Sequence, residues 1–106
     1  KGAVSPRGGA IMKAYEVLYI IRPDLDDEAI AATVDKFSEV VLSNGGADVA
    51  VDKWGKRRLA YEIKDYREGY YVLMNFNGEA RTAQEVERVM KISDDVVRFL
   101  TTKKEA

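Results

Sequence analysis

The chain of 106 residues contains no cysteine and no histidine. Without cysteine there is no disulfide and no thiolate metal site. Without histidine the commonest general base and the commonest metal ligand are both missing, which lowers the prospect of catalysis sharply. No apolar run approaches the ~18 residues that suggest a membrane-spanning helix. A G-x-x-x-x-G-K-[ST] loop and a G-x-G-x-x-G turn are absent as well. The acids Asp24, Asp26, Asp27 and Glu28 lack the glycine and later bidentate acid of a calcium loop. They read instead as a helix start, where the macrodipole favours negative charge. Asp94 and Asp95 read as a turn.

What is present is a dense, uneven charge. Hydrophobic residues make up 46% and charged residues 33%, which fits one soluble domain with a charged surface. The formal net charge is −1, yet residues 1–53 carry six basic and nine acidic side chains, and residues 54–106 eleven and nine. Local basic patches of this kind can bind a polyanion, because each Lys or Arg neutralises its own phosphate. The densest patch is KWGKRRLAY, residues 53–61, around the single tryptophan.

The first eleven residues show no periodicity and no acid. Residues 1–12 are expected to form a disordered tail, a transit-peptide remnant or a tag, with Met12 as an original start. A single domain is expected over residues 13–103, and a short tail over 104–106. Within the domain, YEVLYIIR alternates with apolar residues on both faces, the mark of a central strand, and Pro23 ends it. Ile30, Val34, Phe37 and Val41 recur at helical spacing, and Asn44-Gly45-Gly46 stops that helix. A second strand over Ala47–Val51 resumes as RRLAYEI after Gly55, a bulge signal. KDYREG (64–69) reads as a turn, YYVLMNF as a second central strand, and Thr82-x-x-Glu85 as a capping box opening a helix whose buried face is Val86, Val89 and Met90. VVRFLTT closes the series, followed by a charged tail.

Strand, helix, strand, strand, helix, strand predicts an α+β, ferredoxin-like βαββαβ fold, a four-stranded antiparallel sheet with two helices on one face. Both middle strands are apolar on both sides. Either Tyr15, Val17 and Tyr19 with Tyr70, Val72 and Met74, or the opposite set, must therefore face outward and mark a partner site. The RNA-recognition motif shares this fold, but Glu68-Gly69-Tyr70-Tyr71-Val72 matches its stacking signature poorly.

Four segments carry a family resemblance: Met12-x-x-Tyr15-Glu16-Val17, Arg22-Pro23-Asp24-Leu25-Asp26, Gly55-Lys56-Arg57-Arg58-Leu59-Ala60-Tyr61-Glu62-Ile63, and Glu68-Gly69-Tyr70-Tyr71. From about Met12 to Lys103 the chain resembles the bacterial-type (bacterial and plastid) small-subunit ribosomal protein six family. The resemblance implies the ferredoxin-like fold and a structural role without catalysis. It implies binding of small-subunit, 16S-type rRNA in the central domain or platform, together with ribosomal protein eighteen. No cofactor, membrane or small-molecule substrate follows from it. The 76–104 half looks most like the cyanobacterial and plastid branch, so a chloroplast stroma is the expected compartment, with a bacterial cytoplasm as the alternative.

Cations at element ends are the expected rRNA contacts: Lys13, Arg22, Arg88, Lys91 and Arg98, acting on phosphates with little base information. Trp54, Arg57, Arg58, Leu59 and Tyr61 are the expected protein-partner contacts. They lie on a strand the topology puts at the sheet edge, and aromatics and arginine suit interface centres. A small-ligand regulatory module of the same fold is the alternative function. An enzyme is a weaker rival, since no constellation of tyrosines and carboxylates stands out.

Overall fold

A computed structural model of the protein describes residues 12–104. The expected tail over residues 1–12 lies outside the described residues, Met12 excepted. Four strands and two helices follow one another as β1 (Lys13–Ile21), α1 (Asp27–Ser43), β2 (Ala47–Ile63), β3 (Tyr66–Gly78), α2 (Ala80–Ile92) and β4 (Val96–Lys104). The sheet order is β2-β3-β1-β4, with every neighbouring pair antiparallel. The two strands that read as central are central, and the fold is ferredoxin-like.

The alternation within β1 and β3 decides which face the helices cover. Tyr15, Val17, Tyr19 and Ile21 of β1 and Val72, Met74 and Phe76 of β3 point to one side. There they pack with Ile30, Val34, Phe37 and Val41 of α1 and Val86 and Met90 of α2. Tyr19 and Phe37 meet edge to face at 5.3 Å, and Tyr15 stacks on Phe76 at 5.5 Å. The opposite set includes Glu16 and Asn75, paired directly across β1 and β3. Burying the Glu16 carboxylate under helices costs more than exposing the leucines of the next rank.

Local chemistry sets the element ends. Asp26 caps α1 by accepting the Ala29 N–H at 2.8 Å. Gly45, at φ 86°, supplies the left-handed residue after the helix. Lys64 and Asp65 both have positive φ, 50° and 70°, as a two-residue hairpin of type I′ demands. The turn expected over 64–69 therefore shrinks to two residues, and β3 starts at Tyr66. β4 runs through Lys104, one residue into the expected tail.

The capping box is corrected. α2 begins at Ala80 with Glu79 at the cap position, and Thr82 already lies inside the helix. Thr82 is fully buried and donates its hydroxyl to the Asn44 carbonyl at 2.8 Å, joining the end of α1 to the start of α2. Glu85 holds Arg88 instead of reaching back to a cap. Tertiary packing claimed the threonine that local pattern assigned to the helix end.

Candidate partner and nucleic-acid surfaces

The helix-free face is graded along the strands. One end is polar: Asn75, Glu16 and Thr102 align across β3, β1 and β4. The next rank is Leu73, Leu18 and Leu100, and the one after it is Tyr71, Ile20 and Arg98. Leu100 is 63% exposed.

β2 then folds over the apolar end. Its register against β3 slips at three places, each adding residues on the β2 side. At the second slip Trp54 is the inserted residue and Gly55 follows at φ 92°, the bulge the sequence suggested. At the third, Arg58 pairs with Glu68 and Ile63 with Tyr66, so Leu59–Glu62 loops out of the ladder. Such insertions bend the longer strand towards the face they crowd. Leu59 lands on Ile20 and Val97 in a second, smaller core, with Ile63, Tyr66 and Tyr71 against it. Gly69 leaves room for this approach, since a Cβ there would collide with the Ile20 side chain.

The result is an open apolar groove of about 220 Å³, walled by Leu18, Ile20, Leu59, Tyr61, Tyr71 and Leu100. Arg98 stands at its rim and donates from Nη1 to the Tyr61 hydroxyl at 2.8 Å. Trp54 lies almost parallel to Tyr71, 6.4 Å between ring centroids. Its indole N–H goes to Asp52 at 3.1 Å, and the Arg57 guanidinium sits 5.3 Å from its ring.

The expected partner residues are thus gathered on one bent segment, though they differ in exposure. Trp54, Arg57, Arg58 and Tyr61 are exposed, whereas Leu59 is only 7% exposed. Its side chain packs mostly into the chain's own second core, and what remains accessible forms part of the groove wall. Groove residues the sequence reading missed, Leu18 and Leu100, are visible there only as the outward half of an alternation.

The expected rRNA cations do not form one site. Lys13 stands exposed at the start of β1, paired across the sheet with Gly78. Arg22 makes two hydrogen bonds to Asp24, both 2.8 Å, and approaches Asp95 at 4.0 Å. Hydrogen bonding to Arg22 holds the Asp24 carboxyl below the usual carboxylate range, and the guanidinium is correspondingly harder to deprotonate. Arg88 is likewise committed to Glu85, whose carboxyl is lowered by the hydrogen bond. These two arginines already hold anions. Lys91, exposed in the last turn of α2, and Arg98 make no ion pair among the described residues and share one cleft.

A split β-α-β sheet with one face under helices, the other partly apolar and cation-rimmed, is the architecture of the ferredoxin-like class. Residues 14–103 match the ribosomal protein S6 family, and the chain belongs to it. It is 87% identical over 94 residues to a small ribosomal subunit protein bS6 of Desulfitobacterium hafniense, covering 89% of this chain and 99% of that one. The bS6 of Moorella thermoacetica is 55% identical over 94 residues, covering 89% and 96%. Among solved structures, the 30S ribosomal protein S6 of Thermotoga maritima superposes with a TM-score of 0.83 at 26% identity, covering 89% of each chain. These relatives are bacterial, which corrects the expectation of a plastid protein in the chloroplast stroma.

Proposed function

We propose that the protein is a structural constituent of the bacterial small ribosomal subunit. It binds the central domain of 16S-type rRNA together with ribosomal protein eighteen. Family membership over residues 14–103 is the observation that carries the first statement. The second is supported by the surface: an apolar groove too open to be core, beside exposed aromatics and arginines.

The two halves of that surface suit two partners. The groove and the Trp54–Tyr71 stack offer apolar area to a protein neighbour, and aromatic anchors of this kind dominate interface energies. Lys91 and Arg98 offer unpaired charge to phosphates, which position an RNA without reading its sequence. β2, an edge strand, is shielded from stray pairing by its bulges and by Lys56, Arg57 and Arg58.

Sedimentation tests the assignment. Labelled protein should migrate with small subunits at low salt, and its absence there would refute it. Arg57→Ala with Arg58→Ala should weaken capture of ribosomal protein eighteen while leaving the unfolding midpoint unchanged, since both side chains are exposed. Loss of the folded state would make the pair structural instead.

A further inference from the structure

Most arginines of the domain face a carboxylate. Arg22, Arg67, Arg81 and Arg88, and Lys104 with them, each lie within 4.0 Å of one. Of the described cations that do not, Lys64, Lys91 and Arg98 line a single cleft of about 260 Å³. They arrive from three directions: the β2–β3 turn, the last turn of α2, and β4. Met90, Val96, Val97 and Phe99 complete the wall, and no carboxylate does.

This gathering is not a by-product of global charge, since the chain is net −1. No carboxylate lines the cleft beside these three, and Glu87 shares only the adjoining pocket with Lys91. The Lys64 backbone is set at φ 50° by the two-residue turn. Arg98 is steadied by the Tyr61 hydroxyl, a neutral acceptor that orients the guanidinium without cancelling its charge.

We infer that this cleft takes the phosphates of an RNA backbone. The inference rests on the rRNA-binding function proposed above and narrows it. It adds Lys64, keeps Lys91 and Arg98, and leaves out Arg22 and Arg88, which already hold carboxylates. A phosphodiester chain suits the cleft better than an acidic protein segment, because every charged side chain lining it is a cation. A strongly hydrated point charge from each lysine and a planar fork from the arginine are what phosphate oxygens accept.

The test is a salt titration of binding to a transcript of the small-subunit rRNA central domain, with ribosomal protein eighteen present. Wild type is compared with Lys64→Ala/Lys91→Ala and with Lys36→Ala/Lys53→Ala, whose lysines are exposed outside the cleft. Each lost phosphate contact lowers the slope of log affinity against log salt by about 0.7–0.9, so the cleft variant should lose roughly 1.4–1.8. The control pair should keep the wild-type slope. Lys64→Gln/Lys91→Gln, which retains part of each aliphatic stem, should repeat the loss with an unchanged unfolding midpoint.

An unchanged slope in the cleft variants, or an equal loss in the control, overturns the cleft and leaves rRNA binding intact. Failure of wild type to bind the transcript overturns both. Loss of ribosomal protein eighteen with the RNA slope retained makes the cleft a protein contact, which also overturns the inference.

Discussion

Arg98 on β4 and Tyr61 on β2 share a hydrogen bond of 2.8 Å, although β3 and β1 lie between their strands. The outer strands of the sheet touch because Leu59–Glu62 loops out of the ladder and crosses the helix-free face. The groove beneath is a consequence of that crossing. Tyr61→Phe removes the bond and keeps the ring. Both partners are exposed, so the expected loss of stability is below about 1 kcal/mol. Denaturant unfolding measures it, and a loss above ~2 kcal/mol would mean the bond organises the segment.

Gly69 and Ile20 are coupled in a second way. A methyl at residue 69 would overlap the Ile20 side chain, with Leu59 Cδ2 at 3.6 Å on its other side. Gly69→Ala should therefore cost about 1–3 kcal/mol through overpacking. Ile20→Ala, which removes the Cγ2 that the added methyl meets, should make Gly69→Ala cost less than it does in wild type. The interaction energy in a double-mutant cycle should be ~0.5 kcal/mol or more, and strict additivity would show that the site relaxes freely.

Thr82 separates local pattern from tertiary packing. Thr82→Val keeps its shape but leaves the Asn44 carbonyl without its 2.8 Å donor, at an expected cost of about 1–3 kcal/mol. Glu85→Ala should cost well under 1 kcal/mol, since that side chain only pairs with exposed Arg88. A capping box would predict comparable losses at both positions. Thermal or urea unfolding of the two variants decides between the alternatives.

Tyr19 is fully buried, and its hydroxyl has no protein hydrogen-bond partner. Tyr19→Phe should leave stability unchanged or raise it by up to ~2 kcal/mol, because an unpaired buried hydroxyl is removed. Burial, with Asp35 adding to it, pushes the phenol well above its ordinary value of 10.0. The folded state therefore keeps this proton where the unfolded chain releases it. Stability should be whole below about pH 10 and fall as pH rises beyond it. The slope should be shallower in Tyr19→Phe. An identical alkaline slope in both proteins would show that Tyr19 is not the group responsible.

The order of elements, the central places of β1 and β3, the buried stripe of α1 and the bulge at Gly55 were all legible in the sequence. Each follows from chain-local chemistry: alternation, helical spacing, or a residue suited to positive φ. KWGKRRLAY also announced a bent basic edge. The four segments around it announced the family, with the fold and role that go with it.

Other features needed the chain to be folded. Which face of the sheet the helices cover turned on Glu16 meeting Asn75 across two strands. Leu59, read as a contact for a partner, became core because a looped-out segment carried it onto Ile20 and Val97. The pairing of Arg22 with Asp24 and of Arg88 with Glu85, two and three residues apart, is by contrast local and open to the sequence. Lys64 and Arg98, thirty-four residues apart in number, became neighbours in one cleft. The sequence determined the elements, because secondary structure answers to neighbours a few residues away. The surfaces were decided by tertiary structure, because burial and the lining of clefts depend on residues brought together from distant parts of the chain.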